Sequence, residues 1–292
     1  MSLIPRVAVV TFATTLGDKP YRNYDKEIER LRSSAYKFSL DFYVYTLNDL
    51  KVAINDSPFK GYTYFRKGVG GWFWKPIVIL HFLEKNQYDY LLYLDVDCTL
   101  LKDPLPIIRC LENQFDIAGF QMDAQIKNWT VGRIVDNFQA NEYRDAAMWT
   151  AGILLVKNSE KAKSNLKKWL DSMSKPWNLF DLPFENDGAK HRHDQSVLSI
   201  LIAKGEMQVL SLGEGFYSEG IEATSKSIDS AWVATGVNLG KALANSKPSF
   251  GMRLRRAIQH RVSKSSKVTF WIVYSLIRLS FFGKNKRKIL LN

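Results

Sequence analysis

Short apolar runs alternate with segments of helical spacing along most of the chain. The β-branched run at residues 6–14 predicts a buried first strand. Apolar residues then recur at offsets of three and four, which predicts a helix, and residues 41–47 predict a second strand. The helical positions are Ile28, Leu31, Ala35 and Phe38. A strand, a helix and a strand in this order are typical of the start of an α/β domain.

The same alternation continues beyond this first unit. Pro76 lies at a favoured first-turn position of a helix that we expect to end near Lys85. The fully apolar residues 90–94 predict a central strand that is too short to be a helix. We expect further strands at residues 115–120, 152–156 and 207–212, and further helices at residues 159–173 and 194–203. The pattern predicts one α/β domain, Rossmann-like, with a mostly parallel central sheet.

The composition of the chain changes near residue 235. The protein has 292 residues with 41 Lys plus Arg and 29 Asp plus Glu, a formal charge of +12. Residues 231–292 carry 13 of the basic residues and no acidic ones, so the preceding part is nearly neutral. This distribution disfavours a uniformly basic nucleic-acid-binding surface, and we expect no nucleic-acid partner. An apolar fraction of 46% excludes a wholly disordered chain.

The basic C-terminal part combines cations with aromatic residues. Residues 268–282 form a mostly apolar run interrupted by Arg278, which is shorter than the roughly 20 residues of a membrane span. Basic residues from Lys284 to Lys288 follow, and they suit anionic lipid. We therefore divide the chain into a catalytic domain at residues 1–235 and a helical, membrane-associating segment at residues 236–292. A helix docked on the body and a nucleic-acid contact are the alternatives.

Two features predict the compartment. The chain has only two cysteines, Cys98 and Cys110, without metal-ligand spacing, which favours a reducing environment. The N-terminal residues show no secretory signal pattern. The prediction is a cytoplasmic protein, peripheral on the cytoplasmic face of the membrane.

Two carboxylates follow the predicted central strand directly. Asp95 and Asp97 are separated only by Val96. In an α/β sheet the carboxyl ends of the strands line the ligand crevice. Two such carboxylates can hold Mn²⁺ or Mg²⁺, with a nucleotide diphosphate supplying the other ligands. The alternative is structural, with Asp95 capping the turn and Asp97 in solvent.

Three motifs occur in a fixed order over residues 6 to about 203. They are YLDVDCTLLKDP around Asp95, TAGILLV from Thr150 to Val156, and the pair Asp194-Gln195. In these motifs the chain resembles nucleotide-sugar glycosyltransferases of the GT-A type, most closely family 8 and related bacterial capsule and lipopolysaccharide transferases. The resemblance implies a GT-A fold and a hexosyltransferase-like enzyme. It implies metal-assisted, retaining transfer from a nucleotide-diphosphate donor, a UDP-sugar in the first place, to a cell-surface glycan or a lipid-linked acceptor.

The resemblance also implies roles for individual residues. Asp194 orients sugar hydroxyls, Gln195 lies near the anomeric carbon, and Asp95 and Asp97 bind the metal. The remaining donor contacts are expected at strand ends and after the glycine-rich segment RKGVGGWFWKP, namely at Thr11, Phe12, Ala13, Lys75, Asp95, Val96, Ala151 and Gly152. The C-terminal histidine motif of family 8 is absent between residues 233 and 250, so the candidate third metal ligand is His191 or His193, with His193 preferred.

Several alternatives stay open at this point. Residues 11–13 can be ordinary strand-end packing, and the aromatic residues after the glycines can be core. Asp194 can act as a helix-start anion, and the pair His191 and His193 can be a zinc site. For the whole protein, the alternatives are a catalytically inactive membrane-associated scaffold of the same fold and a metal-dependent nucleotidyl- or phosphotransferase.

Overall fold

A six-stranded mixed sheet forms the centre of the protein. The computed structural model describes residues 4–14, 24–55, 59–64, 68–112, 114–180, 191–213, 216–218 and 233–235. The strands are β1 (Val7–Phe12), β2 (Asp41–Tyr45), β3 (Tyr90–Leu94), β4 (Cys98–Leu100), β5 (Ile117–Gln125), β6 (Ala147–Lys157), β7 (Leu210–Ser211), β8 (Phe216–Ser218) and β9 (Val233–Thr235). The large sheet has the order β2-β1-β3-β6-β5-β7, and only β6 runs antiparallel to its neighbours. The predicted α/β class with a mostly parallel sheet is confirmed.

Helices connect and cover the strands. They are α1 (Asp25–Tyr36), α2 (Leu47–Ala53), α3 (Gly68–Gly71), α4 (Trp74–Lys85), α5 (Leu105–Leu111), α6 (Ile126–Trp129), α7 (Gly132–Asn137), α8 (Glu160–Met173) and α9 (Asp194–Ala203). The segment α3 is a distorted turn, because Val69 and Gly70 have left-handed backbone angles inside it. Among the long helices, α8 is amphipathic and buries Ala162, Leu166, Trp169 and Met173.

Two apolar clusters lie on the two faces of the sheet, and β3 contributes to both. Leu91 and Tyr93 belong to one cluster, whereas Tyr90, Leu92 and Leu94 belong to the other. Alternate residues of a strand point to opposite faces, so a strand covered on both faces must be apolar throughout. This is why residues 90–94 form an uninterrupted apolar run ending at the polar Asp95.

The predicted elements differ from the structure mainly at their ends. The helix at 194–203 and the strand at 90–94 have the predicted bounds. The strand predicted to reach residue 47 ends at Tyr45, because Thr46 and Asp49 form a reciprocal N-terminal cap that starts α2. The strand β6 begins at Ala147, five residues before the predicted start, and β7 is limited to Leu210–Ser211.

A second, three-stranded sheet was not predicted. It has the order β4-β9-β8 and follows the turn after Asp95, with Cys98 opposite Thr235. The predicted membrane-associating segment, residues 236–292, lies outside the described residues. Within the described ranges, no helix combines the length and the apolar character needed to cross a bilayer.

Candidate active site

Asp95 and Asp97 lie on a tight turn at the carboxyl end of β3. The Asp95 N–H donates to the Gly152 carbonyl at 2.8 Å, and the Cys98 N–H donates to the Asp95 carbonyl at 2.8 Å. Arg30 donates from its guanidinium to the Asp97 carbonyl at 2.9 Å. The backbone of the turn is thus fixed from both sides, while the Asp95 side chain keeps 33% exposure.

A buried lysine joins two carboxylates from distant parts of the chain. The Lys75 Nζ lies 3.1 Å from Asp95 Oδ2 and 3.4 Å from Asp194 Oδ2. Lys75 comes from the first turn of α4 and Asp194 opens α9. The side chains of Lys75 and Asp194 are 5% and 4% exposed. The structure therefore brings Lys75, Asp95 and Asp194 together as one charged cluster.

The charges in this cluster offset one another. Burial raises the pKa of Asp194 to about 7, a rise that Lys75 opposes and Asp95 reinforces. Burial by itself lowers the pKa of Lys75, but the attraction of Asp194 and Asp95 outweighs it and leaves that pKa raised. Lys75 is therefore the cation of the site, and Asp194 keeps its proton to a higher pH than an ordinary aspartate.

Tyr93 holds the second oxygen of Asp95. Its hydroxyl donates to Asp95 Oδ1 at 2.7 Å, and the ring is fully buried. Burial and the neighbouring Asp95 raise the pKa of Tyr93 well above its usual range, so it remains a donor. Sequence reasoning treated Tyr93 only as an apolar strand residue. The available signal was its position two residues before Asp95, on the same side of an extended chain.

Gly152 provides the space that Asp95 occupies. A Cβ atom added to Gly152 would lie 2.6 Å from Asp95 Oδ2, closer than packed atoms approach. The Gly152 N–H donates to the Thr150 hydroxyl at 3.2 Å, so Thr150 supports the backbone at this point. The glycine of the TAGILLV motif thus permits close contact between β6 and the carboxylate after β3.

The glycine-rich segment before α4 has a strained backbone. Val69 and Trp72 have φ values of 50° and 61°, and His193 across from them has φ 51°. Positive φ is uncommon for residues other than glycine and is unfavourable for a β-branched side chain. The Trp72 and His193 rings stack with centroids 5.6 Å apart. Packing of the two segments against each other therefore holds this backbone at the edge of the charged cluster.

The histidines near α9 make structural contacts. His193 Nδ1 lies 3.0 Å from the Leu179 carbonyl oxygen, and His191 Nε2 lies 2.8 Å from the same atom. In the part of the chain that the structure describes, no group of three or more His, Cys, Asp or Glu side chains is arranged to hold a metal. The His193 ring is held by Leu179 and Trp72, and its role as a third metal ligand stays a prediction.

Most other predicted donor contacts have buried side chains. Phe12 is 5% exposed and stacks on Trp74 with centroids 4.0 Å apart. Thr11 and Ala151 are fully buried, and Ala13 is 9% exposed. Such residues can offer a ligand backbone groups rather than side chains. The predicted donor role of these four residues stays a prediction, and the aromatic Trp74 is part of the core.

Two predicted residues lie at the edge of the cluster. Val96 is half-buried in the turn between Asp95 and Asp97. Gln195, next to Asp194 on α9, donates from Nε2 to the Met122 sulfur at 2.9 Å. The Asp194 carbonyl itself accepts from the buried Trp169 indole at 3.1 Å, which fixes the start of α9. Both residues are close to the cluster in sequence, and their roles remain predictions.

Comparison with known proteins gives structural matches without sequence matches. No protein-family model and no curated protein sequence matches the chain. Mouse xyloside xylosyltransferase 1 superposes with a TM-score of 0.50 at 10% identity, over 80% of this chain and 98% of that chain. The bifunctional glycosyltransferase WbbM gives 0.49 at 10% identity, over 81% of this chain and 46% of that one. The galactosyltransferase LgtC, in complex with donor and acceptor sugar analogs, gives 0.43 at 15% identity, over 87% and 95%.

The similarity to the xylosyltransferase defines the fold. It extends over almost the whole of that enzyme and over 80% of this chain. The chain therefore has the α/β fold of GT-A glycosyltransferases. At this level of identity the similarity concerns the fold, and the chemistry has to be argued from the site.

Proposed function

We propose that this protein is a glycosyltransferase that moves a sugar from a nucleotide-diphosphate donor, a UDP-sugar in the first place, to a glycan or lipid-linked acceptor. The observation that carries the proposal is the cluster of Lys75, Asp95 and Asp194 at the carboxyl end of β3. In open α/β sheets this edge is where ligands bind. The same edge carries the Asp-x-Asp turn on which the resemblance rests.

The turn suits a metal ion that arrives with its substrate. Asp95 keeps 33% exposure, and each of its oxygens has one observed partner, Tyr93 or Lys75, which leaves lone pairs for a ligand. Asp97 is half-buried on the same turn. Magnesium sites commonly use one or two carboxylates and complete the shell with substrate phosphates and water. Asp95 and Asp97 would hold Mg²⁺ or Mn²⁺ in this way, and the bound ion would neutralise charge on the diphosphate.

The protein residues would then position the reacting groups. Lys75 keeps Asp95 and Asp194 close together, which fixes the two sides of the crevice. Asp194 would accept a hydrogen bond from a sugar hydroxyl, and Gln195 would lie near the anomeric carbon. In the reaction the bond from the anomeric carbon to the diphosphate oxygen breaks and a bond to the acceptor oxygen forms. The acceptor proton leaves with the nucleoside diphosphate, and we propose retention of configuration.

A panel of nucleotide sugars tests this proposal. Released nucleoside diphosphate is measured with and without Mn²⁺, for the native chain and for Asp97→Asn, with Asp123→Asn as a control on β5. We expect metal-dependent release with one donor and a loss of about 100-fold or more in Asp97→Asn, because charge stabilisation of a leaving group is worth several kcal/mol. Release of pyrophosphate instead would indicate a nucleotidyltransferase. No release and no metal-dependent thermal stabilisation by any donor would favour the inactive scaffold.

We also propose that the basic segment at residues 236–292 holds the enzyme on an anionic membrane, on the cytoplasmic side. Replacing Lys284, Lys286, Arg287 and Lys288 by Gln removes four cations from the full-length chain. Each cation near an anionic surface contributes about 1 kcal/mol, so binding to phosphatidylglycerol vesicles should fall by about 100-fold or more. Unchanged sedimentation with vesicles would contradict the membrane proposal and leave the transfer proposal unaffected.

A further inference from the structure

A polar groove lies away from the candidate active site, between α8 and the ends of α7 and α9. Its volume is about 660 Å³. Residues that carry amide, hydroxyl or ammonium groups line it, among them Asn137, Ser164, Lys167, Lys168, Lys175 and Lys204. The helix α9 begins at Asp194 and has ten residues, which corresponds to about 15 Å at 1.5 Å per residue. Lys204 follows its last residue, so the groove is separated from Asp194 by the length of a helix.

Two lysines of the groove, Lys167 and Lys168, lie on the polar face of α8, and Lys175 follows its end. Ser164, Lys167 and Lys168, Asp171 and Ser172, and Lys175 recur at helical spacing, opposite the buried face that contains Trp169. Residues 157–175 contain six lysines and two acidic residues. A solvated polar face of a helix is ordinary by itself. Here residues at the end of α7 and Lys204 lie beside it, and together they line a shallow, open groove.

The groove is lined by four lysines and one carboxylate, Asp171, so its positive charge is only partly balanced. Within the described ranges, Lys204 alone of the four lysines has a carboxylate at ion-pair distance, Glu206 at 2.7 Å. Lys168 donates to the Glu206 carbonyl at 2.8 Å and Lys204 to the Phe138 carbonyl at 2.8 Å. Carbonyl groups fix an ammonium without cancelling its charge. Two cations are thus held in position, and Lys167 and Lys175 are exposed beside them.

An exposed tryptophan lies in the chain between two residues that line the groove, Lys175 and Asn178. Trp177 is 43% exposed and lies in the short helix Pro176–Asn178 that follows α8. Its carbonyl accepts from Asn137 Nδ2 at 3.3 Å, and the Asn178 amide donates to the Ser172 carbonyl at 3.2 Å. These bonds join the short helix to both walls of the groove. An exposed aromatic ring beside directional polar groups can cover the apolar C–H face of a sugar.

We propose that this groove binds an anionic saccharide, one that carries carboxylate or phosphate groups. Lysines supply point charges for such groups, and side-chain amides and hydroxyls supply hydrogen bonds to sugar hydroxyls. The many neutral amide and hydroxyl groups among the lysines favour a glycan, which offers hydroxyls to each of them, over a lipid surface. The binding itself goes beyond the proposed sugar transfer and does not depend on it. If the transfer proposal holds, the groove retains a charged acceptor chain at a distance from the reacting end.

Calorimetric titration of the full chain with a saccharide tests this proposal. Neither sugar donor nor metal is present, so the result does not depend on whether the protein transfers sugars. The probe is a linear tetramer of galacturonic acid, and its fully methyl-esterified form is the neutral control. The groove variant carries Lys167→Gln, Lys168→Gln and Lys175→Gln. The matched control variant carries Lys26→Gln, Lys51→Gln and Lys85→Gln, three exposed lysines elsewhere on the described surface. Both variants lose three positive charges, so any binding of the acid by the basic C-terminal part contributes equally to the two affinities.

We expect the groove variant to bind the acid at least about tenfold more weakly than the control variant, because three charge contacts at the surface, each contributing up to about fivefold to the affinity, are lost. Trp177→Ala should weaken binding several-fold, and the ester should not bind. Equal affinities of the two triple variants, or equal binding of acid and ester, would overturn the proposal. If the two triple variants differ only in their binding to phosphatidylglycerol vesicles, the groove is a membrane contact and the saccharide proposal is overturned. If the groove variant unfolds, Lys175→Gln against Lys85→Gln makes the same comparison.

Discussion

Lysines occur in two contrasting settings in this protein. Lys75 is 5% exposed between Asp95 and Asp194, and its charge is balanced within the site. Lys167, Lys168 and Lys175 are exposed on α8 and its end, and no carboxylate in the described part of the chain pairs with them. The same side chain therefore organises carboxylates when it is buried and offers charge to a ligand when it is exposed. Burial, rather than residue type, separates the two roles.

The largest expected effect comes from removing the buried cation. Lys75→Met leaves Asp194 and Asp95 without their shared partner, and breaking a buried ion pair costs about 3–5 kcal/mol. Urea unfolding at pH 8 measures the loss. Lys167→Met, an exposed lysine on α8, should change the free energy of unfolding by no more than about 0.5 kcal/mol. Similar losses in both variants would contradict the contrast between the two settings.

The second effect concerns pH. The pKa of Asp194 is about 7 in the folded chain against 3.8 for an ordinary aspartate, so the folded state holds this proton to higher pH than the unfolded state. Asp194 therefore contributes to the free energy of unfolding below pH 4, and this contribution is lost as the pH rises to about 7. The loss is about 4 kcal/mol at most. Unfolding curves of the native chain and Asp194→Asn over pH 4 to 8 test it. The variant should show a flatter profile, and parallel profiles would argue against a protonated Asp194.

A smaller effect tests the space around Asp95. Gly152→Ala would push its new methyl group against Asp95 Oδ2, and overpacking of this kind costs about 1–3 kcal/mol. Gly61→Ala is the matched control, since nothing lies within 4 Å of a Cβ there. Thermal unfolding and nucleotide release should both fall in Gly152→Ala and stay near native values in the control. Native activity in Gly152→Ala would mean that Asp95 can move without consequence.

Much of the fold was predictable because its signals are local. The apolar run at residues 90–94 predicts β3, and the apolar residues at 194–203 predict α9, because a covered strand and a packed helix each require their own spacing of apolar residues. The missed elements have weaker signals. The helix α2 depends on a cap formed by Thr46 and Asp49, and the three-stranded sheet joins Cys98–Leu100 to Val233–Thr235 across the chain. Neither the antiparallel direction of β6 nor that pairing leaves a periodic pattern.

The candidate site also has some features that the sequence predicts and others that depend on the tertiary structure. The sequence by itself determined that two carboxylates follow an apolar strand, that Asp194 opens a helix, and that the positive charge is concentrated after residue 230. Only the tertiary structure decided that Lys75 lies between Asp95 and Asp194, that Tyr93 holds Asp95, and that Gly152 leaves room for it. It also decided that four lysines line one open groove. The physical reason is that hydrophobic periodicity acts between near neighbours, whereas charge pairing and burial depend on segments that meet only when the sheet is complete.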